Sequence, residues 1–180
     1  MQSQLEEIAR ENSSSKLQSS VYASLKPEIR QSLSKEQGEF IYSLDRFEAP
    51  YLQEKLLVDE KFESVEEYQE AFTEFKKYIA LIGLHNKKAS MASEKVDEVW
   101  HQFILFTPQY HEFCRKMLGG YLHHVPKTSF APVPLIHKQN LRGLYVKTFE
   151  DVSPLWNMDG LDPCDACGPD ACAPDDYSPS

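Results

Sequence analysis

The strongest constraint on the fold is the spacing of apolar residues between positions 93 and 105. Five of them recur at i, i+3, i+4, i+7 and i+8, which is the period of one buried face of an α-helix. They are Val96, Val99, Trp100, Phe103 and Ile104. Ser93 precedes them and is a residue type that favours the N-cap position. The pattern predicts an α-helix that packs one apolar face against the rest of the protein.

Similar periodicity is found earlier in the chain. Residues 35–57 carry an apolar stripe at helical spacing, and Pro50 is expected either to kink it or to break it into two helices. A further helix is predicted after Ser64, because Glu67 follows three residues later as in a capping box. Gly83 is the predicted end of that helix.

Two more helices are predicted towards the C-terminus. Thr107 and Pro108 have the residue types of an N-cap and a first helical position, and Gly119-Gly120 are expected to end that helix. The segment 138–149 permits a last helix. Part of it is rich in β-forming residues, but a lone strand would have no partner elsewhere in the chain, so a helix is preferred.

These patterns predict an all-α fold with a single irregular helical domain over residues 21–150. Residues 1–20 include a serine-rich run and are expected to form a disordered, mobile N-terminal segment. Residues 151–180 are rich in Pro, Asp and Cys and are expected to form a flexible acidic tail. A length of 180 residues agrees with one domain and two tails.

Composition narrows the class of protein. The formal net charge is −9 and the pI is about 5.1, which argues against a surface that binds nucleic acid or anionic membranes. The sequence has no apolar run of the length that spans a bilayer. The N-terminus lacks the basic start and apolar stretch of a secretory signal, so we expect a cytoplasmic protein. Another protein is the expected kind of partner.

A candidate site lies where the histidines are concentrated, since five of the six fall within residues 85–124. Asp97 and His101 are four residues apart and therefore share one face of the predicted helix. The carboxylate could fix the tautomer of a metal-bound imidazole from the second coordination shell. Alternatively, the two residues form a surface pair without a ligand.

Cys114 is a further candidate because it stands one helical turn after His111. His111, Cys114 and His101 would provide a nitrogen and sulfur ligand set suited to zinc with one open position. A buried thiol without chemistry is the alternative. A third possibility pairs Cys114 as a nucleophile with a histidine, although no nucleophile elbow or oxyanion loop accompanies it.

His124 can join this site only if the chain turns back. In a continuous helix it would lie roughly 15 Å along the axis from Cys114, too far to share one ion. If the helix instead ends at Gly119-Gly120, His124 can approach His101. The two glycines are therefore predicted to decide whether the site exists.

The tail contains a second group of possible ligands. Cys164, Cys167 and Cys172 fall within nine residues and could bind a soft metal ion. The common zinc signature has two such pairs, and here a fourth ligand is missing. Neighbouring aspartates would raise the thiol pKa values, which disfavours a reactive thiolate.

An ordered series of chemically distinct residues begins with the run Val96-Asp97-Glu98-Val99-Trp100-His101. It continues with Ile104, Thr107, Tyr110, Phe113-Cys114, Gly119, His123-His124-Val125-Pro126, Leu144-Tyr145, Thr148-Phe149 and Pro154-Leu155-Trp156. This series resembles the signature of the glycine-rich domain-containing protein-like family. The resemblance implies a helical domain but no substrate. It singles out Asp97, Trp100, His101, Tyr110, Cys114 and His124.

The sequence therefore supports two functional hypotheses. In the first, the protein binds a transition metal, with zinc as the expected ion, through His101 and His124, with Cys114 as a third ligand and Asp97 in the second shell. In the second, it is a protein-interaction or scaffold module in which the same residues only hold two helices together.

Overall fold

The computed structural model describes residues 20–86, 91–124 and 135–156. The segments 1–19, 87–90, 125–134 and 157–180 lie outside the described residues, and the last of them includes the three tail cysteines. The described part contains eight α-helices and one 3-10 turn. They are α1 (Val21–Ser24), α2 (Pro27–Ser32), α3 (Lys35–Asp45), α4 (Pro50–Val58), α5 (Val65–His85), α6 (Glu94–Leu105), α7 (Thr107–Leu118), α8 (Leu135–Thr148) and the turn Pro154–Trp156.

The all-α prediction is confirmed for the described residues. Extended pairing among them is limited to a single bridge between Leu25 and Phe149. The choice of a helix near the C-terminus is also confirmed, since α8 occupies most of the predicted segment. No helix in the described ranges is both long enough and apolar enough to cross a bilayer.

Serine and proline residues set most helix starts as the sequence predicts. The Ser93 hydroxyl accepts a hydrogen bond from the Val96 N–H and caps α6. The Ser64 hydroxyl caps α5, but only half of the predicted capping box forms, because the Glu67 carboxylate accepts from the Glu63 N–H instead. Pro50 begins α4, so the predicted break at this residue is confirmed.

Helix α5 is the longest helix and packs against α3, α4 and α6. The prediction that Gly83 ends it is wrong. The helix continues to His85 and ends with Asn86 in the left-handed region at φ 49°. Gly83 serves a different purpose, because a Cβ at this position would lie 2.5 Å from the Phe40 ring. Glycine here allows α3 and α5 to approach closely.

The packed domain extends beyond the predicted boundary at residue 150. Trp156 is fully buried, and its indole N–H donates to the Glu74 carboxylate at 2.7 Å. The 3-10 turn that carries it packs against α6. Residues 151–156 therefore belong to the folded domain, because a buried tryptophan anchors them.

Candidate metal centre

Helix α6 presents Asp97 and His101 at the edge of its buried face. Val96, Val99 and Trp100 point into the core, which leaves the i, i+4 pair at the border between core and solvent. The Asp97 side chain is 15% exposed and the His101 side chain is 45% exposed. The helical spacing recognised in the sequence therefore places both side chains on one accessible edge.

The chain reverses direction immediately after α7. Thr107 is already helical and Phe106 is the N-cap, one residue earlier than predicted. The helix ends at Leu118, and Gly119 adopts φ +70°, a conformation that costs little for glycine only. Residues 121–124 then run outside any helix. The prediction that these glycines end α7 is confirmed.

This turn brings His124 onto Asp97 and His101. His124 Nε2 and Asp97 Oδ1 are 2.7 Å apart, and His101 Nε2 lies 3.7 Å from Asp97 Oδ2. The two imidazole rings have centroids 4.5 Å apart. One ligand atom from each of the three residues lies within 4.8 Å of the other two. We call these three residues the Asp97 cluster.

The His124 ring also packs against residues of the core. Its side chain is only 7% exposed, and it packs edge-on against the Trp100 ring at a centroid distance of 4.4 Å. The Trp100 indole N–H donates to the Tyr110 hydroxyl at 2.9 Å. That hydroxyl in turn donates to the Leu122 carbonyl. Burial raises the pKa of Tyr110, and a phenol is protonated and able to donate at neutral pH even at its ordinary pKa of about 10.

The geometry of the Asp97 cluster can hold a metal ion. A tetrahedral ion with Zn–N bonds of about 2.0–2.1 Å separates its ligand atoms by roughly 3.3 Å. Around an ion, His124 Nε2 and Asp97 Oδ1 have to move slightly apart from their separation of 2.7 Å. Ligand atoms that lie up to 4.8 Å apart have to approach one another, each by about an ångström or less. His101 is the most exposed member, and a rotation of this side chain makes the adjustment without disturbing the core.

Cys114 does not belong to the cluster. Its side chain is fully buried and neighbours the Tyr110 hydroxyl, and it is absent from the group of ligand atoms around Asp97. The structure thus brings together three of the four predicted site residues and leaves Cys114 in the core. A thiol without solvent access is also a poor nucleophile for an external substrate.

Two other histidines lie apart from the cluster on the surface. His111 and His123 are exposed, and their rings flank Tyr121 at centroid distances of 6.3 Å and 4.9 Å. The predicted pairing of His111 with Cys114 is therefore not formed around a shared centre. His111 is therefore an exposed histidine outside the cluster, and it can serve as a control for substitutions of His101.

Sequence reasoning missed a second carboxylate cluster. Glu74 is buried and accepts from the Tyr145 hydroxyl, the Trp156 indole N–H at 2.7 Å and the Lys77 ammonium at 2.8 Å. We call these four residues the Glu74 cluster. Its signal in the sequence was the position of Glu74 on the apolar face of α5, three residues after Ala71.

The fold and site define the class as an all-α protein with a histidine and aspartate cluster at its surface. Residues 36–150 match the family model described as UCP032817-like, which is well over half of the 180 residues. The chain therefore belongs to the UCP032817-like family. No curated protein and no solved structure matches it.

This match corrects the resemblance to the glycine-rich domain-containing family. The resemblance began at Val96, whereas the family model extends from residue 36 and includes α3, α4 and α5. Several residues that carried it, namely Trp100, Tyr110 and His124, form one contact network. Their shared spacing describes how two helices and a turn pack, and it does not identify that family.

Proposed function

We propose that this protein binds a divalent transition metal through Asp97, His101 and His124, and that zinc is the ion best suited to the site. Two imidazoles and one carboxylate form a known zinc ligand set that leaves a coordination position open. Asp97 is a direct ligand in this proposal, because its carboxylate lies against both rings. A cytoplasmic location and a protein partner remain predictions.

The position of His101 carries the proposal. Its ring faces the Asp97 and His124 pair although its side chain is 45% exposed. An exposed imidazole contributes little to packing, so a purely structural role explains His124 better than His101. A ligand role explains both, because a bound ion requires one nitrogen from each.

Metal binding requires a change of tautomer at His124. In the metal-free protein the His124 Nε2–H donates to Asp97 Oδ1 across 2.7 Å, because the carboxylate can only accept. A metal ion held by this nitrogen would need its lone pair, so the neutral ring would carry its proton on Nδ1 instead. The bound ion would join α6 to the segment after α7 and would stabilise the folded state by mass action. This gain is about 2.7 kcal/mol when free metal is 100 times Kd.

Metal analysis of the full chain tests the proposal. The tail thiolates can bind soft metals themselves, so the protein should carry Cys164→Ser, Cys167→Ser and Cys172→Ser. After zinc loading and gel filtration we expect about one zinc per chain. His101→Ala should lose it.

The matched control is His111→Ala, which removes an exposed histidine outside the cluster and should keep the zinc. Absence of stoichiometric zinc in the parent protein would remove the proposal. Equal zinc content in the His101→Ala and His111→Ala proteins would remove it as well.

A scaffold function is the second candidate, and the burial of His124 favours it. His124 is hydrogen-bonded to Asp97 and packed on Trp100, so these contacts by themselves join α6 to the segment after α7. In that case His124→Ala lowers the free energy of unfolding by the same amount with zinc and with a chelator. In the metal-site proposal, zinc stabilises only the parent protein, so the difference between the two proteins is larger with zinc than with the chelator.

A further inference from the structure

The segment that carries His124 is held by a chain of hydrogen bonds that begins in the core. The Trp100 indole on α6 donates to the Tyr110 hydroxyl on α7 at 2.9 Å, and this hydroxyl donates to the Leu122 carbonyl. Leu122 precedes His124 by two residues. One phenol oxygen therefore joins both helices to the non-helical segment that supplies the ligand.

The location of Tyr110 makes this oxygen an effective anchor. Its side chain is almost completely buried, and its ring packs against Phe103 at a centroid distance of 5.2 Å. A buried ring with fixed neighbours leaves its hydroxyl little freedom to follow a moving loop. Connected hydrogen bonds in such surroundings also strengthen one another.

The other contacts of His124 fix its position along the α6 axis less firmly than the hydrogen bond from Tyr110 to Leu122 does. The Gly119 turn reverses the chain, but His124 lies five positions further along. The hydrogen bond to Asp97 is itself lost when a metal takes the Nε2 lone pair. The Trp100 ring and the tethered Leu122 carbonyl do not depend on that bond, so they hold this segment both before and after metal loading.

We infer that Tyr110 is a positioning residue that sets the metal affinity of the Asp97 cluster through its hydroxyl. The inference rests on the proposed metal site and assigns to Tyr110 a role beyond packing. Removal of a group that hydrogen-bonds a metal ligand directly commonly weakens metal binding by about 10–100-fold. Tyr110 bonds the backbone two residues before the ligand, so we expect the lower end of that range, about 10-fold, from Tyr110→Phe, which keeps the ring and deletes only the oxygen.

The control is Tyr145→Phe. Tyr145 is another buried tyrosine whose hydroxyl donates within the fold, in this case to Glu74. Both variants lose one buried hydrogen-bonded hydroxyl, and both should lower the urea midpoint. A merely structural role of Tyr110 predicts that the two proteins bind metal equally well once folded.

The experiment measures Co²⁺ binding by visible absorption in the triple-serine background described above. We expect the Tyr110→Phe protein to bind about 10-fold more weakly, with an altered Co²⁺ spectrum, and the Tyr145→Phe protein to match the parent. In the metal-free state, the His124 ring resonances should shift towards those of exposed His111 in Tyr110→Phe alone.

The outcomes separate the two proposals. If the parent protein binds no Co²⁺, the metal site itself fails and the inference fails with it. If the parent binds Co²⁺, His101→Ala does not, and Tyr110→Phe keeps the parent affinity and spectrum, the metal site stands and the positioning role is overturned. If Tyr110→Phe is too unstable to assay at 25 °C, the comparison with Tyr145→Phe is made at a lower temperature, where equal Co²⁺ affinity of the two proteins overturns the positioning role.

Discussion

The Glu74 cluster and the Asp97 cluster are both built on a helical carboxylate, but they differ in what surrounds it. Around Glu74 stand an ammonium, an indole N–H and a phenol, all of which donate to the carboxylate. Around Asp97 stand two imidazoles. An indole and an ammonium have no lone pair to offer, whereas a neutral imidazole does.

This difference separates a structural cluster from a candidate binding site. The Lys77 ammonium neutralises Glu74 inside the protein, and the side chains of the Glu74 cluster close over one another in the core. The Asp97 cluster is open on the His101 side. A cation approaching from solvent therefore meets unused lone pairs and a carboxylate only at the second cluster.

Among the substitutions that test this comparison, Glu74→Ala is expected to lower the unfolding free energy most. The change leaves the Lys77 ammonium, the Trp156 N–H and the Tyr145 hydroxyl in the core without their acceptor. Breaking a buried ion pair in this way costs about 3–5 kcal/mol of unfolding free energy. Urea denaturation at neutral pH measures the loss.

Glu70→Ala is the matched control for Glu74→Ala, one helical turn earlier on α5. Glu70 is exposed and contacts Ser153 at 3.2 Å, so a change within about 0.5 kcal/mol is expected. Losses of similar size in the two variants would show that the Glu74 cluster is not a stabilising centre. Should Glu74→Ala fail to fold, Glu74→Gln retains an acceptor and should fold with a smaller loss.

Alkaline pH is expected to weaken the Glu74 cluster. Burial, with the nearby Glu74 charge, raises the pKa of Tyr145 above its ordinary value of 10. The unfolded chain then releases this proton near pH 10 while the folded protein retains it. Stability from Tyr145 is therefore complete below pH 10 and falls above it, by about 1.4 kcal/mol per pH unit.

Urea midpoints between pH 9 and pH 11 test this pH dependence. The Tyr145→Phe protein should lose stability less steeply than the parent above pH 10, although it is less stable at neutral pH. Parallel curves for the two proteins would contradict the assignment. Burial also raises the pKa of Tyr110, so Tyr110→Phe should flatten the curve in the same direction.

The smallest effect on stability is expected from His101→Ala. This side chain is nearly half-exposed and lies beyond hydrogen-bond distance from Asp97, at 3.7 Å. In metal-free buffer we expect a change within about 0.5 kcal/mol in urea denaturation, although the same substitution should abolish zinc binding. A loss near that of Glu74→Ala would show that the Asp97 cluster is also a structural one.

The sequence predicted the helical parts of the site well. Ser93 and the five apolar residues after it placed α6 correctly, and with it the shared face of Asp97 and His101. The glycines after α7 were also recognised as the condition for bringing in His124. These features depend on residues within about four positions of one another, so local backbone and capping preferences decide them.

Other features of the site could not be predicted from local patterns. Cys114 stands on a helix next to the site, yet it packs beside Tyr110 in the core. Glu74 binds Trp156, which is 82 positions away. Gly83 looked like a helix end, but its function is to admit the Phe40 ring. Each outcome depends on how helices cross, which sequence spacing does not specify.

The amino-acid sequence by itself determined that this chain is helical, where most of its helices begin and break, and that Asp97 and His101 share an edge. Tertiary structure alone decided that Asp97 meets His124 across 27 positions and that Glu74 is closed off by donors. The physical reason is one of range. Helical hydrogen bonds and caps act within a few residues, whereas the meeting of distant side chains is set by packing.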